Sequence, residues 1–150
     1  MDQGLNGRAS DLFREFVTEE PGNFVAWAGL GKAYDRSGNI MGASEAYRKS
    51  LSLKPNQPNV WISFGDFYFR GKSYLQSVSA YQSALQHDPD NAKAHNNLGS
   101  AYKEMGKLER AVSHFAAATK IDVGYALAYR NAGDVNIRLG NFSEAIEWLR

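Results

Sequence analysis

Cysteine is absent from the 150 residues, which excludes disulfides, thiolate zinc sites and a cysteine nucleophile. Proline is scarce, with four in all. No surplus of either charge exists: 17 Lys and Arg face 16 Asp and Glu, a formal net charge of +1. Nucleic-acid binders carry a basic excess as their electrostatic footprint, so no nucleic-acid partner is expected. No apolar run is long enough to span a bilayer, so no membrane insertion is expected. The opening residues, Met1 through Gly7, lack the basic and then apolar segments of a secretory signal. A soluble chain is the expectation, with the cytoplasm as the default compartment. Apolar and aromatic residues are plentiful instead, at 43% and 13%. That is too much for a disordered chain and enough to bury the core of one domain.

The few prolines are not scattered. Pro21, Pro55 and Pro89 follow one another at steps of 34 residues. Trp27 and Trp61 keep the same step, which leads on to His95 and Tyr129. Gly31, Gly65, Gly99 and Gly133 hold it through four copies; Tyr34, Tyr68 and Tyr102 hold it through three, as do Leu30, Phe64 and Leu98. Self-similarity at such a period marks stacked supersecondary units. Within one copy, Phe24, Trp27, Leu30 and Tyr34 have helical spacing, and Ser37-Gly38-Asn39 breaks it. Ala43, Ala46, Tyr47, Leu51 and Leu53 resume it, and Pro55 ends it, because proline cannot continue a helix. Each copy is therefore helix, turn, helix. A glycine inside a helix costs about 1 kcal/mol relative to alanine, so four at one position need a common cause. Close approach of the two helices supplies it, with Trp27, Tyr34 and Tyr47 filling the space around Gly31 and Ala43.

These columns resemble the tetratricopeptide repeat (TPR) family. Trp27, Leu30, Gly31, Tyr34, Ala43, Tyr47, Ser50 and Pro55 fit its pattern in the first full copy. Trp61, Phe64, Gly65, Tyr68, Ser77, Tyr81, Ala84 and Pro89 fit it in the second. His95, Leu98, Gly99, Tyr102, Ala111, Phe115 and Ala118 follow in the third, where Val123 replaces the proline. Tyr129, Ala132, Gly133 and Ala145 begin a fourth, and Ala9, Phe13, Phe16 and Pro21 form a half repeat ahead of the first. The resemblance implies an all-α fold, a TPR α-solenoid of antiparallel helix hairpins wound as a right-handed superhelix. It implies a single domain over 1–150, with a partial repeat at 8–21, full repeats at 24–57, 58–91 and 92–125, and a truncated one at 126–150. Helices are expected over about 8–19, 24–37, 42–54, 58–70, 74–87, 92–105, 108–121, 126–139 and 142–150. Asn23, Asn91 and Asn56 stand where N-caps are wanted. Val123-Gly124-Tyr125 departs from that, so a different bend is expected there. Asn136 falls in the tyrosine column, where a buried amide needs a partner. Both ends read as cut inside a repeat, with Trp148 and Leu149 exposed; a fragment of a longer solenoid, or self-association through the solenoid ends, is expected.

The resemblance also implies a concave face lined by the first helix of each repeat, where a protein or peptide would bind. Its lining positions include Val25, Ala28, Gly29 and Lys32, then Ile62, Ser63, Asp66, Phe69 and Arg70. They continue with Lys93, Asn96, Asn97, Lys103 and Glu104, then Leu127, Arg130, Asn131, Asp134, Ile137 and Arg138. Gly29, Ser63, Asn97 and Asn131 share one repeat position. Asparagine is a poor mid-helix residue, yet its amide offers both donor and acceptor and can grip a peptide backbone. This column looks like the asparagine ladder in the TPR superhelix of O-linked N-acetylglucosamine transferases. Only Asn97 and Asn131 match it; Ser63 is a weak stand-in and Gly29 departs. The alternative is amides that face solvent or bond a neighbouring helix. TPR domains that clamp the acidic C-termini of chaperones are a poor match, since only Lys93 fits in one register and Asn97 in the other. Phe69 and Ile62 are the apolar anchor candidates, with one of Phe67 and Phe69 expected in the core. The candidate peptide-binding residues are thus Asn97, Asn131, Ser63, Lys93, Asp66, Phe69, Arg70, Arg130, Asp134 and Lys32.

No catalytic constellation stands out, and no enzyme activity, cofactor or metal is expected. The glycines recur with the repeat rather than as a phosphate loop. His95 occupies the Trp27/Trp61 column, His87 lies near a helix C-terminus, and His114 lies on the second helix of its repeat; no two have the spacing of a metal pair. Three functions fit: a protein- or peptide-binding module or scaffold, a regulatory or substrate-recruiting segment of a larger enzyme such as a glycosyltransferase, or a self-assembling scaffold.

Overall fold

The structure is a computed structural model that describes residues 3–150, with side chains from Gly7 onward. Met1 and Asp2, part of the expected domain and of its opening stretch, lie outside the described residues. The helices are α1 (Gln3–Glu19), α2 (Phe24–Ser37), α3 (Ile40–Leu53), α4 (Pro58–Arg70), α5 (Tyr74–His87), α6 (Ala92–Glu104), α7 (Leu108–Ile121), α8 (Ala126–Leu139) and α9 (Phe142–Leu149). Among the described residues there is no strand, and no helix is long and apolar enough to cross a membrane. Two compact units divide the chain, residues 1–64 and 65–150, with the boundary inside α4.

Helices α2, α4, α5, α7 and α8 have the expected limits. Helix α1 begins earlier, at Gln3, because glycine only weakens a helix and does not stop it as proline does. Helix α3 begins two residues early because Asn39 caps it, accepting from the Gly42 N–H at 3.0 Å. Asn23 and Asn91 cap α2 and α6 as expected, accepting from Ala26 and Ala94 at 3.0 and 2.9 Å. Asn56 does not cap. Pro58 opens α4 with its pre-set φ, and the Gln57 carbonyl takes the Val60 and Trp61 N–H groups, so Asn56 stays outside.

The glycine column is explained by direct contact. A Cβ at Gly31 would lie 2.8 Å from the Tyr47 ring, and one at Gly65 2.4 Å from the Tyr81 ring. At Gly99 it would meet Phe115 at 2.8 Å, and at Gly133 it would meet Leu149 at 2.7 Å. Carbon atoms in contact sit about 3.5–4.0 Å apart. A side chain at Gly31, Gly65 or Gly99 would press on a buried ring of the second helix of its hairpin; at Gly133 it would displace only the flexible end of exposed Leu149. The turns between hairpin helices share a second column: Gly38, Gly106 and Gly140 have φ of 79°, 72° and 78°, and Lys72 takes the same left-handed place at 58°.

The Trp27/Trp61/His95 column ties each first helix to the turn before it. Trp27 and Trp61 donate their indole N–H to the carbonyls of Pro21 and Pro55, at 2.9 and 2.8 Å. His95 Nε2 repeats the bond to Pro89 at 3.1 Å. Where Val123 replaces the proline, Asp122 shapes the turn instead, its side chain accepting from the Gly124 N–H at 2.9 Å. Asn136 is buried and satisfied: it donates to the Ala132 carbonyl at 2.9 Å and accepts from Asn141 at 3.4 Å. Trp148 is half-buried beside Tyr129, their ring centroids 5.9 Å apart, which corrects its expected exposure; Leu149 is exposed at 54%.

Candidate binding face

In the unit formed by residues 65–150, the first helices α4, α6 and α8 are linked by a run of side-chain hydrogen bonds. Asn131 Nδ2 on α8 donates to Asn96 Oδ1 on α6 at 3.0 Å. Asn96 Nδ2 donates to Asn97 Oδ1 at 3.2 Å, and Asn97 Nδ2 donates to Asp66 Oδ1 on α4 at 2.8 Å. The Tyr81 hydroxyl on α5 donates to that same oxygen at 2.6 Å. Burial, and then the bond to Asp66, holds the Tyr81 proton well above the ordinary tyrosine range. Lys103 and Asp134 add an α6–α8 ion pair at 3.5 Å.

This run accounts for the asparagine column. Asn97 and Asn131 bond neighbouring helices, each through one donor; an amide has two N–H groups and a carbonyl oxygen with two lone pairs, so each keeps capacity for a guest. Asp66 is half-buried, and both incoming bonds land on Oδ1, leaving Oδ2 to an approaching N–H. Helical spacing sets Lys93, Asn97 and Glu104 along one side of α6, and Leu127, Asn131, Asp134 and Arg138 along one side of α8. Lys93, Glu104, Arg130 and Arg138 are exposed, and so are Leu127 at 40% and Ile137 at 48%. Phe69 is half-buried, edge-on to Tyr74 at 5.5 Å, while Phe67 belongs to the core. Arg70 is exposed at the end of α4.

In the unit formed by residues 1–64, the same column is closed. A Cβ at Gly29 would sit 2.4 Å from the Phe13 ring, so the α1 phenyl occupies the place of an amide. Ser63 Oγ bonds the Asn59 carbonyl of its own helix at 3.0 Å. Lys32 is exposed.

Three expected lining residues are buried. Ala28, Ile62 and Asn96 share one repeat position and are 8%, 3% and 3% exposed. At Asn96 the cause is visible: α8 lies against it, and Asn131 donates to its Oδ1. Arg130, in the same column on α8, is exposed.

Asn96 and Tyr81 were not among the candidates, and a signal for them existed. Two adjacent amides in mid-helix need partners, and Asp66 stands where the corresponding first-helix residues are Lys32, Ser100 and Asp134. A second correction concerns the histidines. His95 and His114 come together despite their spacing, Nδ1 to Nδ1 at 3.1 Å, with ring centroids 5.3 Å apart. Tyr102 stacks on His114 at 5.5 Å, and the Arg110 guanidinium lies over Tyr102. Burial, and then His95, lowers the His114 pKa to about 4.

Comparison with curated proteins gives no match. Among solved structures, a crystal structure of MamA superposes with a TM-score of 0.91 at 23% identity, covering 97% of this chain and 85% of that one. MamA from Desulfovibrio magneticus RS-1 gives 0.87 at 22% identity, over 95% of this chain and 81% of that one. PilF of Pseudomonas aeruginosa gives 0.87 at 20% identity, over 98% and 67%. At such identities the likeness is one of fold: an all-α TPR solenoid. The sequence itself matches a TPR repeat profile over 65–106 and tetratricopeptide repeat profiles over 25–57 and 99–150. With the glycine–ring contact repeated in three hairpins and three repeat profiles that together match most of the chain, the chain belongs to the tetratricopeptide repeat family.

Proposed function

We propose that this chain is a protein-interaction scaffold that holds an extended polypeptide segment against the first-helix face of residues 65–150. The observation that carries this is the hydrogen-bonded run Asn131–Asn96–Asn97–Asp66–Tyr81. It fixes three helices so that amide and carboxylate groups stand ready without further ordering, which lowers the entropic cost of binding. Around it, Leu127, Ile137 and Phe69 offer apolar anchors, and Lys93 and Arg130 offer exposed cations. Amides bond a guest's backbone whatever its side chains; anchors and charges then choose among sequences. Affinity at about the micromolar level, roughly −8 kcal/mol, suits such a face.

The test is a peptide-display selection against the native chain, followed by affinity measurement on the selected peptide. Asn97→Ala/Asn131→Ala, Arg130→Glu and Ile137→Asp, each checked for folding, should weaken binding about tenfold or more, since each 1.4 kcal/mol is a factor of ten. Unchanged affinity in all three would reject this face.

A second mode rests on α9, where Phe142 and Ile146 are 64% and 55% exposed. Copies of the chain would associate through them, and light scattering of native protein against Phe142→Ser/Ile146→Ser would resolve it. Recruitment of substrates for a larger enzyme such as a glycosyltransferase would use the same first-helix face, with the partial asparagine column as its motive.

A further inference from the structure

The ring position of each first helix has a partner 19 residues on. The four pairs are Trp27/Ala46, Trp61/Ala80, His95/His114 and Tyr129/Trp148. Where the first member is an indole, the second is alanine. The third repeat alone exchanges both for imidazoles. Large-with-small already fills this space at Trp27 and Ala46, so packing does not ask for two ionisable rings.

The geometry of the pair is specific. His95 keeps the indole's bond, with Nε2–H donating to the Pro89 carbonyl at 3.1 Å. A neutral ring protonated at Nε2 presents a lone pair at Nδ1. That lone pair faces His114 Nδ1 at 3.1 Å, where His114 donates. Metal-bound imidazoles have this same support, a carbonyl holding the far N–H and fixing the tautomer. Two nitrogens bound to one tetrahedral ion at about 2.0–2.1 Å stand about 3.3 Å apart. The pair is thus spaced within a few tenths of an ångström of a chelating bite, and both rings are half-buried, so an ion can reach them.

We propose that His95 and His114 form a two-imidazole site for a divalent transition-metal ion such as Zn2+, with water completing the coordination. Among the described residues no group of three His, Cys, Asp or Glu converges, so the ion is held by two protein ligands and exchanges readily. Imidazole selects zinc, nickel and copper over magnesium and calcium. On loading, the His114 proton moves from Nδ1 to Nε2 through solvent. One N–H···N bond is replaced by two nitrogen–metal bonds, and no net proton is released. Burial that keeps His114 neutral reduces competition from protons.

The experiment is calorimetric titration of the chelator-treated chain with ZnCl2, beside His114→Ala and the double variant His95→Trp/His114→Ala. The double variant recreates the pair of the first two repeats, and circular dichroism confirms that it folds. The native chain should take one ion, and both variants should bind about tenfold weaker or worse, as loss of even a supporting group costs about 10–100-fold. MgCl2 should give no heat. Nitrogen NMR of the native chain should show His114 pass from the Nδ1–H to the Nε2–H form on loading. Equal zinc binding by the double variant, saturation without the His114 tautomer change, or no binding at millimolar zinc would each overturn the proposal.

Discussion

The two units carry one column to opposite ends. In residues 1–64 the position of the amides holds Gly29, with the Phe13 ring lying on it, and Ser63, whose hydroxyl bonds back to its own helix. In residues 65–150 the position holds Asn97 and Asn131, joined through Asn96 to a half-buried carboxylate and a buried hydroxyl. The backbone pattern is the same, since the glycine–ring contact recurs in both units. The lesson is that the hairpin is set by a few packing columns, while the first-helix face between them is free to be filled, closed or made polar. The proposed recognition therefore rests on the chemistry of that face in the second unit, not on the fold.

Substitutions can break this comparison or sharpen it. The largest effect is expected for Gly99→Leu, which would drive into buried Phe115 and the Ala111 carbonyl, 3.1 Å from a Cβ. Overpacking there should cost about 3 kcal/mol in urea unfolding. Gly29→Ala, by contrast, meets only the end of the half-buried Phe13 ring, which can swing aside. With alanine's helix propensity offsetting the shift, its net change should stay within about 1 kcal/mol. A comparable loss at both sites would mean that the closed column of the first unit is as rigid as the core.

Tyr81→Phe comes next. It removes a charge-assisted donor from Asp66 and should cost about 1.5–2 kcal/mol. Combined with Asn97→Ala in a double-mutant cycle, it should show a coupling of about 1 kcal/mol, because both donate to one oxygen. Additive losses would dissolve the run into separate contacts.

Smaller still is the cap contrast. Asn91→Ala should cost about 1 kcal/mol, and Asn56→Ala less than about 0.5 kcal/mol by the same measurement, because only Asn91 caps its helix. Lys72→Gly should have the smallest effect and the opposite sign. Lysine there holds a left-handed φ of 58° where the three sister turns have glycine. Relief of that strain, less the entropy glycine loses on folding, should raise stability by about 0.5 kcal/mol.

Most of the fold was legible in the sequence because its constraints are periodic. Glycine beneath a ring, proline after a second helix and a ring at the start of the next hairpin each recur at 34 residues. The face was only partly legible. Asn97, Asn131 and Asp66 could be placed in it by register, but the inward turn of Asn96 could not, because a helical wheel does not show that α8 lies across that position. Ile62 misled because it is apolar at a position taken for a lining, yet it is buried. The meeting of His95 with His114 was hidden by treating the two hairpin helices separately, although the ring column and its partner 19 residues on hold the clue.

The most direct test of the central claim is amide chemical-shift mapping of the native chain with a display-selected peptide. The account predicts perturbations along α6 and α8 and at 66–70, including the side-chain amides of Asn97 and Asn131, with α5 and α7 quiet. Perturbations confined to α5 and α7, or shared evenly by all helices, would contradict it.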